Sequence, residues 1–183
     1  MKNKIIQSIS AGMIISLGCW IYLSVENKIL GALLFSCGLL AVRIYKLNLF
    51  TGKVQYLITN QYKWYDYFIF LIGNIIGAFI ISLLCNISSE TLAELKNSQL
   101  FTTALIKGIG CGALMSLGTH KQTPLWISSL CVLAFILAGF NHCIADAFYL
   151  FNAGYFLSIG WLGSLIGNII GGILFSQIIR DEQ

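Results

Sequence analysis

Proline, histidine and charge are scarce in this sequence. Its 183 residues include one proline and two histidines, and charged residues make up only 10%. Because soluble domains carry about 25% charged residues, a water-soluble fold is excluded. Two histidines cannot form a multi-histidine metal site, and no cysteine pair has the CxxC spacing of zinc sites. The basic residues are scattered rather than clustered, so we predict no cofactor, no metal and no nucleic-acid partner.

Apolar residues and glycine are abundant instead. Hydrophobic residues reach 57%, the mean hydropathy is +0.82, and there are 18 glycines. A helix needs about 20 mostly apolar residues to cross a bilayer. Six stretches meet that length: Ile5–Val25, Ile29–Phe50, Tyr65–Leu84, Phe101–Thr119, Leu125–Phe148 and Phe156–Ile179. The sequence therefore predicts an all-α integral membrane protein, a single transmembrane domain over residues 1–183 that lies in the lipid bilayer.

Basic residues near the ends of these spans predict the orientation. Cytoplasmic connections carry the excess of lysine and arginine in multi-pass membrane proteins. One side would hold six of them, Lys2, Lys4, Lys53, Lys63, Lys121 and Arg180, and the other only Lys28 and Lys96. We therefore expect a protein of the cell membrane with both termini in the cytoplasm. Arg43, Lys46 and Lys107 fall inside apparent spans, which is where we expect the function to reside.

The two halves of the chain resemble each other, which predicts an internal repeat. The sequence Leu-Ile-Gly-Asn-Ile-Ile-Gly occurs at residues 71–77 and again at 165–171, and a weaker match joins 12–18 to 112–118. The halves, about 1–97 and 98–183, hold three spans each. Because three is odd, the second half enters the membrane from the opposite side, an inverted 3+3 repeat typical of transporters. Chance recurrence in glycine-rich helices is the alternative.

The repeated motif also predicts close helix packing. Glycines four residues apart lie on one helix face, so Gly77 and Gly171 are expected to contact a neighbouring helix closely. Asn74 and Asn168 occupy the same place in each motif and are predicted to hydrogen-bond to backbone groups that lack partners nearby.

The second and fifth spans are interrupted by polar residues. Arg43-Ile-Tyr-Lys-Leu-Asn48 follows about 14 apolar residues, and Asn141-His-Cys-Ile-Ala-Asp146 follows about 16. Polar side chains and non-helical backbone at such depth require a cavity or polar partners. Two broken helices meeting at the midplane would offer backbone N–H groups to an anion. Ordinary helices whose polar ends emerge among the lipid headgroups are the alternative.

Five motifs in order along nearly the whole chain carry a family resemblance. They are LFTG at 49–52, IGNIIG at 72–77, KGIGC at 107–111, GFNHCIAD at 139–146 and IGNIIGG at 166–172. Together they resemble the formate/nitrite transporter family, pentameric channels for small monovalent anions, and the chain is similar to a short, divergent member. The resemblance implies an aquaporin-like fold with broken second and fifth helices, and a homopentamer with one pore per protomer.

The resemblance implies which residues line the pore. His142 matches the single histidine at the pore centre, and Leu49, Phe50 and Thr51 match the loop that gates the neighbouring constriction. Phe140 matches the hydrophobic lining, and Lys107 matches a basic position that draws anions in. The other predicted pore residues are Lys46, Asn48, Asn141 and Asp146. The family usually has Glu at position 141, Asn at 146 and Asn at 112, where this chain has Asn, Asp and Gly.

The implied function is transport of a small weak-acid anion such as formate, nitrite or hydrosulfide. Proton linkage would run through His142, because a free imidazole titrates near about pH 6.5. A purely structural His142, bonded between helices, is the competing interpretation. No catalytic residues are predicted, so the protein is not expected to be an enzyme. A channel for small neutral solutes with an aquaporin-like fold is the alternative function.

Asp146 supports a more specific hypothesis. It lies four residues after His142, so in a continuous helix the two share a face and the carboxylate would favour a charged imidazolium. Lys107 or Arg43 could neutralise Asp146 instead. A solvated Asp146 near the outer surface is the third possibility.

Overall fold

The computed structural model describes residues 2–178, and within them the chain is all-helical. Ile179 and Arg180, which entered the predicted sixth span and the charge count, lie outside the described residues. The helices are α1 Lys2–Ser24, α2 Lys28–Ile44, α3 Phe50–Lys53, α4 Trp64–Leu84, α5 Glu90–Asn97, α6 Phe101–Thr119, α7 Leu125–Leu137, α8 Cys143–Asn152 and α9 Ile159–Ile178. A short 3₁₀ helix, Val54–Tyr56, follows α3.

Four of these helices are long and apolar enough to cross a membrane, namely α1, α4, α6 and α9. They coincide with the predicted first, third, fourth and sixth spans. The predicted second span is divided between α2 and α3, and the predicted fifth between α7 and α8. Residues 86–99, between the predicted third and fourth spans, contain the amphipathic helix α5, which packs on α8 and α9.

Two helix pairs form the interior, α1 with α4 and α6 with α9. In each pair the backbones approach so closely that only glycine fits. A side chain at Gly77 would collide with the carbonyl oxygen of Ile9, and one at Gly171 with that of Ile109. Packing of this kind replaces the hydrophobic effect, which does not drive helices together in lipid.

The outward faces of the helices are apolar. Large side chains such as Trp64 (75% exposed), Trp126 (63%) and Phe156 (91%) point away from the interior. Soluble monomers rarely expose so much contiguous apolar surface to water, so lipid or another subunit must cover it. All six cysteines are free thiols, and Cys37 lies on an exposed face rather than in the interior.

Candidate functional site

Two non-helical segments meet in the interior of the bundle. The first, residues 45–49, joins α2 to α3, and the second, residues 138–142, joins α7 to α8. Each contains one residue with left-handed backbone, Lys46 at φ 53° in the first and Gly139 at φ 66° in the second. The interruptions predicted from polar residues therefore lie where the chain leaves the helical conformation and starts a new helix.

Asn74 of α4 closes the first segment. Its Oδ1 accepts from the backbone N–H of Phe50 at 2.7 Å, and its Nδ2 donates to the carbonyl oxygens of Asn48 (2.9 Å) and Ser8 (2.7 Å). The first N–H of a helix has no partner within the helix, so this side chain acts as a cap supplied by another helix. Asn74 is fully buried, which makes the three bonds necessary.

Asn168 of α9 closes the second segment in the same way. Its Oδ1 accepts from the N–H of Cys143 at 2.9 Å, and its Nδ2 donates to the carbonyl oxygens of Asn141 (2.7 Å) and Gly108 (2.9 Å). The two asparagines of the repeated motif thus make corresponding contacts on corresponding segments.

A hydrogen bond joins His142, the last residue of the second segment, to Thr51 in α3, just after the first segment. His142 Nε2 lies 2.9 Å from Thr51 Oγ1, and both residues are buried. His142 Nδ1 accepts from the N–H of Ala145 at 3.2 Å and so carries no proton. The neutral ring therefore has its proton on Nε2, which donates to Thr51. The Phe135 ring stacks on the imidazole, with centroids 5.7 Å apart.

The two apolar residues that precede Thr51 are also buried. Leu49 and Phe50 are 1% and 4% exposed and belong to the same buried cluster. Asn48 is held from α1, because its Nδ2 donates to Gln7 Oε1 at 2.9 Å. The sequence motif LFTG therefore forms the N-terminal turn of α3, directly against His142.

On the side of α5, the structure assigns Asp146 a partner that the sequence did not predict. Asp146 is 2% exposed, and its Oδ1 lies 3.2 Å from Lys96 Nζ. The same ammonium donates to Asn141 Oδ1 at 2.5 Å and to the carbonyl oxygen of Phe140 at 3.4 Å. The interpretation of Asp146 as a solvated surface residue is therefore wrong, because Lys96 pairs with it inside the protein.

Among the described residues, neither cation that the sequence offered as a partner of Asp146 forms an ion pair with it. Arg43 donates to Ser128 Oγ and to the carbonyl oxygens of His120 (2.9 Å) and Thr123 (2.8 Å), at the turn between α6 and α7. Lys107 is half-buried in α6, and its carbonyl oxygen accepts from Asn141 N at 3.3 Å. The Asp146 backbone N–H donates to the His142 carbonyl oxygen at 2.8 Å. Among the described residues no ion pair or side-chain hydrogen bond joins Asp146 to His142, so the predicted charged pair is not formed.

Sequence reasoning missed Lys96 and counted it only as a topological charge. It is placed by α5, whose short amphipathic pattern falls in a polar stretch and gives no signal of a buried role. Asn141 gains two further partners that no motif marks, Gln99 Oε1 at 2.6 Å and Ser164 Oγ at 2.8 Å. Only tertiary contacts identify these residues.

The other end of the candidate site opens into a cavity of about 570 Å³. Its wall includes Arg43, Lys46, Lys53, Lys121, Tyr56 and Tyr62, and it reaches Asn48 and Leu49 of the first segment and Gly52 of α3. We call this cavity the basic basin. Among the described residues that line it, none is acidic. The basin adjoins Thr119 at one end of α6, and Asn141 contacts Lys107 nearer the other end. At 1.5 Å per residue, these two positions lie about 18 Å apart along α6.

Comparison with known proteins decides the family. The family model for formate/nitrite transporters matches residues 1–180. The chain belongs to the formate/nitrite transporter family. It is a multi-pass membrane protein, and a family of channels and transporters agrees with the prediction that it is not an enzyme.

Two relatives of this family member are informative. The uncharacterized transporter YHL008C of Saccharomyces cerevisiae is 25% identical over 228 residues, which cover 98% of this chain but only 36% of the yeast protein. The formate channel FocB of Escherichia coli is 24% identical over 245 residues, covering 96% of this chain and 85% of FocB. The chain thus spans about a third of the yeast protein's length.

Solved structures share the fold. A pentameric formate channel with formate bound superposes with a TM-score of 0.79 at 22% identity, covering 97% of this chain and 94% of the channel. An ion channel of the same family also gives 0.79, at 20% identity, with 96% and 88% covered. The all-helical membrane fold predicted from the sequence is therefore that of the formate channels.

Proposed function

We propose that this protein is a channel or transporter for small monovalent anions of weak acids, with formate, nitrite and hydrosulfide as candidate substrates. The observation that carries the proposal is the buried contact between His142 and Thr51, where the two broken segments meet beside Leu49 and Phe50. Family membership supports it. A site with one histidine, one hydroxyl and apolar walls fits a constriction through which a small ion passes after losing its water.

Desolvation is the main barrier in such a constriction. A bare anion in apolar surroundings costs many kcal/mol, so it must meet cations or cross in neutral form. Lys46 and Arg43 would raise the local anion concentration on one side. Lys107, with Asn141, Asp146 and Phe140, would line the other, where we add Lys96 because its ammonium reaches Asn141 and Asp146.

His142 would supply a proton donor at the narrowest point. Its Nε2–H bond with Thr51 can be redirected to an anion oxygen without moving the backbone. Full proton transfer has a defined cost, because an imidazolium must release the Ala145 amide from Nδ1. Proton-linked transport would therefore couple protonation of His142 to loss of the cap at the start of α8.

Six membrane passes follow if α2 with α3, and α7 with α8, each complete one span. The matched contacts of Asn74 and Asn168 support an inverted 3+3 repeat with halves of about 1–97 and 98–183. We propose that the protein lies in the cell membrane with both termini in the cytoplasm. A thiol probe at exposed Asn27 should then react from outside, and one at exposed Gln61 only from inside; the reverse pattern would overturn the orientation.

A homopentamer with one pore per protomer is the proposed assembly. The similar formate channel is pentameric, and the exposed apolar helix faces need a protein or lipid cover. Native mass spectrometry in mild detergent should give five copies, and a stable monomer would contradict the assembly.

Liposomes that contain only this protein test the function. We expect formate to enter fast enough to swell the vesicles, and His142→Phe to reduce that flux at least about tenfold. His120→Phe, which changes the other histidine, is the matched control and should retain flux. Glycerol and urea test the alternative function: permeation by these neutral solutes without formate flux would identify a neutral-solute channel.

A further inference from the structure

The basic basin has a composition that transport of a monovalent anion does not require. Four cations, Arg43, Lys46, Lys53 and Lys121, line one cavity of about 570 Å³ beside the first segment. Elsewhere in the described chain, two half-buried cations meet carboxylates, Lys4 with Asp66 at 2.7 Å and Lys96 with Asp146 at 3.2 Å. In the described structure, no carboxylate forms an ion pair with the four cations of the basin.

Three of the four cations are held in position by polar or aromatic contacts. Arg43 is fixed by carbonyl oxygens at the α6–α7 turn and lines the cavity. Lys53 Nζ donates to Tyr62 Oη at 3.0 Å and lies 5.1 Å from the centre of that ring. Lys121 lies 5.7 Å from the centre of the Tyr56 ring. Neither ring neutralises the charge, so the basin keeps a strong positive field.

Such a field favours ligands with more than one negative charge. Coulomb attraction scales with ligand charge, so a dianion gains twice what a monoanion gains from each cation. The cavity volume is several times that of a phosphate group. A phosphate group has enough oxygens to accept hydrogen bonds from several lysines at once. The adjoining apolar Leu49 and Phe50 would bar such a ligand from passing, because the cost of desolvation rises steeply with charge.

We propose that the basic basin is a binding site for a phosphate group, either free inorganic phosphate or the phosphate monoester at the head of a lipid. The ligand sits over the first segment and does not cross it. Phosphate binding does not depend on the proposed transport function. Its expected consequence does rest on the proposed function, because a bound phosphate group would block monovalent-anion flux from this side.

Calorimetric titration with inorganic phosphate tests the site. The protein is purified in a detergent without phosphate, and sodium chloride keeps the ionic strength constant, since exposed charges are screened by salt. We expect saturable binding with one phosphate per chain. Lys53→Met and Lys121→Met should each weaken it at least about tenfold. Lys63→Met is the matched control, because Lys63 is basic, lies in the same connection and is absent from the basin wall.

Two outcomes would overturn the site. The first is a binding heat that does not saturate with phosphate, or that disappears when chloride is present at the same concentration as phosphate. The second is an unchanged phosphate affinity in both lysine variants. Nanodiscs then separate the two sources of phosphate. Weaker phosphate binding when phosphatidic acid replaces part of the phosphatidylcholine identifies a lipid headgroup, and unchanged binding identifies the soluble ion. Calorimetry measures phosphate binding and does not depend on transport. Absence of formate flux would therefore refute the proposed function, while the calorimetric result alone decides the phosphate site.

Discussion

The segments that lead into α3 and α8 have the same backbone plan and opposite chemistry. Both turn through a left-handed residue, and both deliver the first N–H of the next helix to an asparagine from the repeated motif. Lys53 lies four residues after Leu49, which precedes α3. Asp146 lies four residues after His142, which precedes α8. Among the described residues Lys53 faces the basic basin without a carboxylate partner, whereas Asp146 is buried against Lys96. The backbone plan is thus repeated, while the charged residues that follow it differ.

The largest difference between the sides is expected from their charged residues. Lys96→Met leaves the Asp146 carboxylate buried without its partner, which costs about 3–5 kcal/mol of the free energy of unfolding. Lys53→Met removes an unpaired charge and is expected to change stability by less than about 0.5 kcal/mol. Thermal denaturation of the solubilised protein measures both. The double change Lys96→Met with Asp146→Asn should recover most of the loss; no recovery would mean that Lys96 acts by packing alone.

The shared scaffold predicts equal sensitivity at the two asparagines. Asn74→Ala and Asn168→Ala each leave one buried N–H and one carbonyl group, that of Asn48 or Asn141, without a partner. We expect a loss of about 2–3 kcal/mol in both. Ser176→Ala serves as the control, because its hydroxyl donates to the carbonyl of Ile173 and accepts from Gln177 Nε2, both in its own helix. Unequal losses at the two asparagines would break the comparison, since one segment would then be held by other contacts.

The hydrogen bond between the segments has a smaller effect. Thr51→Val keeps the shape of the side chain and removes the acceptor of His142 Nε2–H, so we expect a loss of about 1 kcal/mol. Thr51→Ser keeps the hydroxyl and should restore most of it. The melting temperature checks both variants, and a value for Thr51→Val equal to that of the unaltered protein would show that the bond does not hold the segments together.

The left-handed residues give the smallest expected effects, with opposite signs. Lys46→Gly removes a side chain from left-handed backbone and should stabilise by up to about 1 kcal/mol, whereas Gly139→Ala introduces one and should destabilise by about 1 kcal/mol. A methyl group at Gly139 meets nothing within 4 Å, so its cost is conformational alone. Lys46→Ala keeps the strain and is the control. Equal signs for Lys46→Gly and Gly139→Ala would show that the two turns are not equivalent.

Family, fold and the position of the helix breaks were readable in the sequence. Apolar stretches of membrane length predicted the long helices, because lipid forces every backbone group to pair within a helix. Polar residues at depth marked both breaks, and the repeated Gly-Asn motif marked the residues whose contacts close them. Local patterns of this kind state a requirement that the fold must meet, so they are visible before the fold is known.

The partners of the charged residues were decided only by the tertiary structure. His142 and Asp146 are four residues apart, yet His142 precedes α8 and turns toward Thr51 while Asp146 lies in its first turn and turns toward Lys96. Lys96 itself comes from a short helix in a polar connection, and the basic basin gathers cations from α2, α3 and the α6–α7 turn. Sequence spacing fixes neighbours within one helix, but a charge is satisfied by whichever group the packing of other helices brings within about 4 Å, and no local pattern records that distance.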